Sequence, residues 1–324
     1  MPYAAARVPS RPRAWMAVSA IALLAMAPAA FGQAAKKAAA PAAKASASTL
    51  ERIKSSGSLK LGYRTDARPF SFQDASGKPA GYSVDLCQAL GEAVKSQLGV
   101  ADLKVEWLPI TVDNQLKAVQ QHEVDALCAA VTVTLKRRET VDFSLPIFPG
   151  GVGVVVRSDS PKRLRNILNG EAATYTPTWR AVALNILREQ VFATVPGTTA
   201  ERWIKERGDE FNVQFHVEPM SGYEAGIQAV LDGKASAFFA ERAILLDAVK
   251  NHKSADDLMV LDRQYTYERL ALPIQRGDED FRLLVDRALS KQFESAGYQG
   301  TYAKWFGEPN ERSEVFFRWN ALPE

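Results

Sequence analysis

The chain contains few of the residues that bind metals and cofactors. Its 324 residues include two cysteines and three histidines. The histidines, His122, His216 and His252, are far apart in the sequence, and none has a pair of cysteines nearby. This spacing does not match a zinc or haem ligand set, so we expect neither a metal nor a cofactor.

An excess of charge of one sign is also missing. The 40 basic and 37 acidic residues give a formal net charge of +3. Six of the basic residues lie before position 49, where no acidic residue occurs, so the rest of the chain carries an excess of about three negative charges. A protein of this charge is not expected to bind nucleic acid.

The longest apolar run is too short to span a membrane as a helix. It covers about 14 residues at 14–27, with three arginines before it and small residues after it. This order is typical of a secretory signal peptide, which we place at 1–32, with an uncleaved anchor as the alternative. No cysteine follows that could carry a lipid anchor. Residues 33–48 are a low-complexity tether rich in alanine and lysine, and we expect a periplasmic protein.

The two cysteines, Cys87 and Cys128, are compatible with an exported protein. An oxidising compartment permits a disulfide between them. The alternative is two buried thiols that pack as small apolar groups.

Strands alternate with helices along the chain, which indicates an α/β fold. This pattern runs through 49–146 and, in a similar order, through 150–264, so we expect two lobes, each a mainly parallel sheet flanked by helices. An insertion without a counterpart in the first lobe is expected at about 166–190. Residues 268–324 are expected to return to the first lobe, which requires two hinge crossings, at 147–149 and 265–267.

Six segments together resemble the extracellular solute-binding proteins of bacterial ABC importers for polar amino acids (family 3), most of all the glutamate/aspartate-binding subgroup. The resemblance implies a type II periplasmic-binding-protein-like fold, in which two lobes close around one amino acid and present it to a membrane permease. The segments are GYRTDARPFSF at 62–72, GYSVDLCQAL at 81–90, VDALCAAVTVTLKRRETVDFS at 124–144, PGTTAERW at 196–203, ASAFFAERAIL at 235–245 and GYQGTYAKWFG at 297–307.

Three ligand-binding residues of the first lobe follow from this resemblance. Arg137 is similar to the family's arginine that binds the ligand's α-carboxylate, for which a planar guanidinium is suited. Thr132 corresponds to a donor from the same loop, and Ala130 to a position whose carbonyl meets the ammonium. The alternative for Arg137 and the neighbouring Arg138 is a solvated helix start.

The second lobe is expected to contribute three more. Thr198 and Thr199 begin a helix whose N–H groups can bind the same carboxylate, although a threonine pair can also be no more than a helix cap. Glu241 corresponds to the acidic residue that meets the ammonium, where many relatives have aspartate. Its alternative is an ordinary glutamate in the first turn of a helix.

The ligand's side chain is expected to meet Arg64 and Tyr223. Arg64 corresponds to an arginine that binds the distal carboxylate in the glutamate/aspartate subgroup, while Gln115 stands where that subgroup has a second arginine and Val112 where it has serine. We therefore expect an acidic amino acid, with asparagine or glutamine as the alternative. Arg64 could instead pair with Asp66 at the surface.

We expect a non-enzymatic, monomeric binding protein with a permease as its partner. A prephenate- or arogenate-type dehydratase on the same scaffold is one alternative, but the sequence offers neither a nucleophile–base pair nor a Gly-x-Ser-x-Gly turn. A periplasmic sensor that presents its ligand to a partner is the other alternative. The sequence does not decide whether the segment after Gly307 packs on the body or contacts a partner.

Overall fold

A computed structural model describes residues 48–171, 186–295 and 297–324. The predicted signal peptide, the tether up to residue 47 and positions 172–185 of the predicted insertion lie outside the described residues. The α-helices are α1 (Thr49–Ser56), α2 (Tyr82–Leu98), α3 (Gln115–Gln120), α4 (Lys162–Asn169), α5 (Thr199–Phe211), α6 (Tyr223–Leu231), α7 (Arg242–Asn251), α8 (Glu279–Glu294), α9 (Gly297–Phe306) and α10 (Glu311–Asn320).

The strands fall into two large sheets and two small ones. They are β1 (Ser58–Arg64), β2 (Asp66–Ala67), β3 (Ser71–Gln73), β4 (Pro79–Ala80), β5 (Lys104–Ile110), β6 (Ala126–Leu127), β7 (Val131–Thr132), β8 (Val141–Phe143), β9 (Phe148–Gly150), β10 (Val152–Arg157), β11 (Val191–Thr194), β12 (His216–Pro219), β13 (Ala237–Glu241), β14 (Leu258–Val260), β15 (Glu268–Ala271) and β16 (Pro273–Gln275).

The two large sheets have the same architecture. The first has the order β5-β1-β6-β16-β8 and the second the order β12-β11-β13-β10-β14. In the first sheet only β16 opposes its neighbours, and in the second only β10 does. Four strands of each sheet therefore run in one direction, which confirms two lobes with mainly parallel sheets.

Helix α2 illustrates how the sequence pattern forms these elements. Leu86, Leu90 and Val94 recur at a spacing of four residues and are buried against the first sheet. Gly99 ends the helix with a φ of 64°, a left-handed conformation that favours glycine. The amphipathic period thus sets the buried face of the helix, and glycine sets its end.

Two strands join the lobes and pair with each other. The chain leaves the first sheet after β8, passes through β9 into β10 of the second sheet, and returns through β15 into β16. β15 pairs antiparallel with β9 on one side and with β7 on the other. The crossings also touch beside these strands, since a Cβ added to Gly151 would clash with the carbonyl oxygen of Thr266. That the lobes move about hinges at 147–149 and 265–267 stays a prediction.

Two largely apolar runs of the sequence are each divided between two strands. Residues 270–274 end β15 in the crossing sheet and begin β16 in the first sheet, and residues 124–131 hold β6 and the start of β7. The first break has a visible cause: Leu272 bonds to Ser144, donating its N–H to the hydroxyl and accepting from the N–H, both at 3.0 Å. These bonds take the place of strand pairing at Leu272.

The carboxyl-terminal segment packs on the first lobe. Helix α10 buries Phe317 completely, with its ring centroid 5.1 Å from that of Phe293 and 4.7 Å from that of Tyr298. The structure thereby answers what the sequence left open about the residues after Gly307. Within the described residues, no helix is long and apolar enough to cross a membrane.

A disulfide joins helix α2 to the residue after β6. Cys87 and Cys128 are bonded, with their Cα atoms 6.0 Å apart, and both are fully buried. The expected disulfide is thereby confirmed. Because it closes a loop with a sequence separation of 41, it restricts the unfolded chain and ties the main helix of the first lobe to its central strands.

Reduction of this disulfide should lower the free energy of unfolding by about 4 kcal/mol, as the chain-entropy model gives for a loop of this length. Urea unfolding of the protein with and without dithiothreitol measures the difference. The double variant Cys87→Ala/Cys128→Ala is the control, because its unfolding should not respond to the reductant. Equal unfolding of the unaltered protein under both conditions would contradict the prediction.

Candidate ligand-binding site

A cleft lies between the two lobes, beside the carboxyl ends of β1 and β13, which is where open α/β sheets hold their ligands. Its walls are largely apolar, with Phe70 and Leu270 from the first lobe and Phe239 and Ile244 from the second. A few polar groups converge on this apolar surface, as is common in small-molecule sites. All the residues predicted from the sequence to bind the ligand line the cleft: Arg64, Ala130, Thr132, Arg137, Thr198, Thr199, Tyr223 and Glu241.

Arg137 extends from the first lobe toward the second. It begins a short 3-10 turn, and its guanidinium Nη1 donates to the carbonyl of Thr132 at 2.8 Å while Nη2 donates to the carbonyl of Gly197 at 3.3 Å. Burial, followed by the nearby guanidinium of Arg202, lowers the pKa of Arg137. Arg138 is exposed, so the structure separates the two neighbours as the sequence reasoning did.

The N-terminus of α5 faces the cleft from the second lobe. Thr198 is its N-cap, accepting from the N–H of Glu201 at 3.3 Å and donating to the carbonyl of Val195 at 2.7 Å. Its hydroxyl is therefore used as a cap, as the alternative interpretation proposed. The first N–H groups of the helix still have no partner within the helix, and the positive end of its dipole points at the cleft.

Glu241 ends β13 and lies half-buried against the first crossing. Its Oε2 accepts from the N–H of Gly151 at 2.8 Å and its Oε1 from the N–H of Ala243 at 3.4 Å. Burial, together with the negative charge of Glu268, raises the pKa of Glu241 to about 8. The carboxyl group therefore holds a proton at neutral pH, and a cation placed beside it would favour its release. Glu241 is both a helix cap and a cleft residue.

Arg64 occupies the cleft and is also paired. Its Nε donates to Oδ1 of Asp66 at 2.9 Å, and its Nη2 lies 2.6 Å from the same oxygen without the geometry of a hydrogen bond. Its side chain is 5% exposed, whereas that of Asp66 is 41% exposed. Arg64 therefore lines the cleft and pairs with Asp66, which compensates part of its charge, while its contact with a ligand stays a prediction.

Three uncharged residues complete this end of the cleft. Val112 and Gln115 line it from the first lobe, and Tyr223 at the start of α6 lines it from the second. Burial raises the pKa of Tyr223, so its phenol stays neutral and can donate a hydrogen bond. Within residues 48–171, 186–295 and 297–324, no group of histidine, cysteine, aspartate and glutamate is arranged to hold a metal ion.

Sequence reasoning missed the role of one residue beside the cleft, Glu268. Its carboxylate accepts from the hydroxyls of Thr132 at 2.7 Å and Thr199 at 2.9 Å, which belong to opposite lobes. The lobes also touch at the rim, where Arg68 donates to Asp247 at 2.8 Å. No local pattern in the sequence marks Glu268, because its contacts depend on how the crossing strands pair.

Comparison with known proteins supplies independent findings. The model of the family described as bacterial extracellular solute-binding proteins, family 3, matches residues 59–308. The L-glutamate/L-aspartate-binding protein of Pseudomonas aeruginosa is 29% identical over 262 residues, which cover 81% of this chain and 80% of that protein. The glutamate/aspartate import solute-binding protein of Escherichia coli is 27% identical over 268 residues, covering 83% and 82%.

A solved structure shows the same likeness in three dimensions. The ancestral amino acid-binding protein AncCDT-1, a precursor of cyclohexadienyl dehydratase, superimposes with a TM-score of 0.65 and 28% sequence identity. The match covers 80% of this chain and 100% of that one.

The raised pKa of Glu241 should make the ligand-free protein less stable as the pH rises. Between the usual pKa of about 4.5 and the folded-state pKa of about 8, the unfolded chain releases a proton that the native chain keeps. The free energy of unfolding of the unaltered protein, minus that of Glu241→Gln, should therefore decrease as the pH rises through this interval. The decrease is on the order of 1 kcal/mol per pH unit at most.

Urea unfolding of both proteins at pH 5, 7 and 9 measures this trend. Comparing trends is necessary because the glutamine, with one acceptor oxygen, also loses a backbone hydrogen bond at every pH. A difference in stability that stays constant from pH 5 to pH 9 would contradict the prediction.

Proposed function

The chain belongs to the bacterial extracellular solute-binding proteins of family 3, and we propose that it captures a polar amino acid between its lobes as the exported binding component of an ABC importer. One observation carries this proposal: a guanidinium, a helix N-terminus and a half-buried carboxyl group converge on one cleft from both lobes. An α-amino acid presents the complementary charges.

The carboxylate of such a ligand has two sources of donors. Arg137 offers the planar fork of its guanidinium from the first lobe, and the N–H groups at the start of α5 face it from the second. A carboxylate held by both would draw the lobes together. Neither lobe provides both sets of donors alone.

The ammonium of the ligand has its partners at the opposite side. Glu241 provides a carboxylate once its proton has left, and the carbonyl of Ala130 provides an acceptor from the first lobe. Because Glu241 holds a proton when no ammonium group lies beside it, binding of the amino acid at neutral pH is expected to release that proton. The ammonium then pairs with an ionised carboxylate in a site of low dielectric constant.

Hinge closure follows from this division of the site. A ligand shifts the balance between open and closed forms only by its difference in affinity for them. A shift from 1:99 to 99:1 requires about 5.5 kcal/mol. Two desolvated charge contacts, each made from both lobes, can supply a difference of this size.

An acidic amino acid is the ligand we propose. Arg64 faces the cleft from the end of β1, where a distal carboxylate would extend, and relatives from two organisms carry names that state glutamate and aspartate binding. A distal amide is the second candidate, because Asp66 already compensates Arg64 and the uncharged Gln115 lines the same end.

An enzymatic role is a further candidate that one observation favours. Glu241 has the raised pKa that a general acid requires, and a similar solved structure is that of a dehydratase precursor. Its contacts instead suit a binding role, because two backbone N–H groups hold the carboxyl group in place. Incubation with cyclic dehydratase substrates should give no turnover.

Export and transport complete the proposal. The family is described as extracellular, and a relative in Escherichia coli is named an import protein. We therefore propose that the chain works in the periplasm as a monomer and delivers its ligand to a membrane permease.

Replacing Arg137 by alanine should weaken amino acid binding by at least about 100-fold, since it removes the partner of a buried carboxylate. A thermal-shift panel of the twenty amino acids identifies the ligand, because binding to the native form alone raises the melting temperature. Calorimetry then compares the variants. Arg138→Ala is the matched control, because Arg138 is exposed, and its affinity should be unchanged. Equal affinities of the two variants would refute the proposed site.

Selectivity should depend on the pair of Arg64 and Asp66. Arg64→Gln should weaken L-glutamate binding by about 100-fold and L-glutamine binding much less, because only the acid loses a charged partner. Asp66→Asn should act in the opposite direction and favour L-glutamate by about tenfold, because it frees the charge of Arg64. Calorimetric affinity ratios for the two ligands test both variants. Ratios that stay constant would show that Arg64 does not meet the ligand's side chain.

A further inference from the structure

Glu268 connects the two lobes through hydroxyl groups. It lies at the start of β15, and its Oε2 accepts from the hydroxyls of Thr132 at 2.7 Å and Thr199 at 2.9 Å. Its Oε1 accepts from the hydroxyl of Thr266 at 2.8 Å, and that hydroxyl accepts in turn from the N–H of Val152, the first residue of β10. One carboxylate thereby bonds to β7, to α5 and to the second crossing.

Two of these hydroxyls belong to the segments that carry the proposed carboxylate donors. The carbonyl of Thr132 accepts from Arg137, and Thr199 is the first residue of α5. A series of hydrogen bonds therefore spans the site from one lobe to the other, from Arg137 through Thr132 and Glu268 to Thr199. We propose that Glu268 is a positioning residue that holds the guanidinium and the α5 N-terminus at the separation needed to bind one carboxylate. This inference rests on the function proposed above.

The chemistry of the three partners explains why a carboxylate is needed. A threonine hydroxyl has one proton to donate, whereas an ionised carboxylate only accepts and has room for several donors. Hydrogen bonds to a charged acceptor are about twice as strong as those between neutral groups. With their protons directed at Glu268, Thr132 and Thr199 are left to offer their backbone N–H groups to the ligand.

The surroundings of Glu268 contain charges on both sides of the crossing strands. Toward the cleft, its charge acts on the pKa values of Arg137 and Glu241. On the opposite side, a second cavity is lined by Glu268 together with Arg269 of β15 and Arg312 of α10. The negative charge of Glu268 contributes to the raised pKa of Glu241, so its removal should shift the titration of Glu241 to lower pH.

Glu268→Gln tests the inference with little change in shape. The amide keeps one acceptor oxygen but presents N–H donors to hydroxyls that have been donating, so at least one inter-lobe bond is lost. With L-glutamate as the probe, stopped-flow and calorimetry should show an affinity about 10- to 100-fold weaker, mainly through faster dissociation. The pH at which affinity reaches its plateau should also decrease. Without ligand, small-angle X-ray scattering should show a larger radius of gyration.

Asp247→Asn is the matched control. It also removes a negative charge from an inter-lobe contact, but its partner Arg68 is 47% exposed and the pair lies outside the cleft lining. Exposed pairs contribute little to stability. The control should therefore keep the pH profile and the scattering curve of the unaltered protein.

The outcomes separate this inference from the proposed function. If the unaltered protein binds L-glutamate while Glu268→Gln keeps its affinity, pH profile and scattering curve, the inference is overturned and the binding function stands. Equal changes in Asp247→Asn and Glu268→Gln would also overturn it, because any inter-lobe contact would then have the same effect. If the unaltered protein does not bind L-glutamate, the proposed ligand is wrong, and the scattering comparison still decides the role of Glu268.

Discussion

The antiparallel pairing of β9 with β15 is the constraint on which the rest of the site depends. It brings the two passages between the lobes side by side, with Glu268 opposite Gly150. The N–H of the next residue, Gly151, donates to Glu241, and the side chain of Glu268 contacts both lobes. Without this pairing, the second lobe would have no fixed register against the first, and the cleft would have no defined width.

Burial changes the ionisation of two groups in the cleft, Arg137 and Glu241. Burial lowers the pKa of Arg137 and raises that of Glu241, so each group is less stable in its charged form than it would be in water. A zwitterion relieves both effects at once, because its carboxylate favours the guanidinium and its ammonium favours the ionised carboxyl group. On the proposed function, part of the binding free energy would come from pairing the guanidinium and from stabilising the ionised carboxyl group.

Backbone hydrogen bonds hold both groups in place within the cleft. Arg137 is bonded to carbonyls of both lobes, and Glu241 is held by two backbone N–H groups. Such preorganisation lowers the entropy that binding must otherwise spend on ordering side chains. By contrast, the end of the cleft near Arg64 combines an ion pair with uncharged neighbours. On the proposed function, a change of a single side chain there would alter which ligand is preferred, while the contacts to the part that all amino acids share would stay the same.

The amino-acid sequence by itself determined the local elements and the chemistry of the site. The period of Leu86, Leu90 and Val94 sets a helix face, and the residue types at positions 137, 198, 199 and 241 already provide the guanidinium, the hydroxyls and the carboxyl group of the cleft. Only the tertiary structure decided which groups bond to one another. It formed the pair of Arg64 with Asp66, the bonds of Leu272 that divide a strand, and the contacts of Glu268 with two lobes. The reason is physical, since helix and strand periods arise from neighbours along the chain. Burial, charge pairing and strand register depend on which residues the fold brings together, such as Glu268 with Thr132 and Leu272 with Ser144, and no local pattern records those distances.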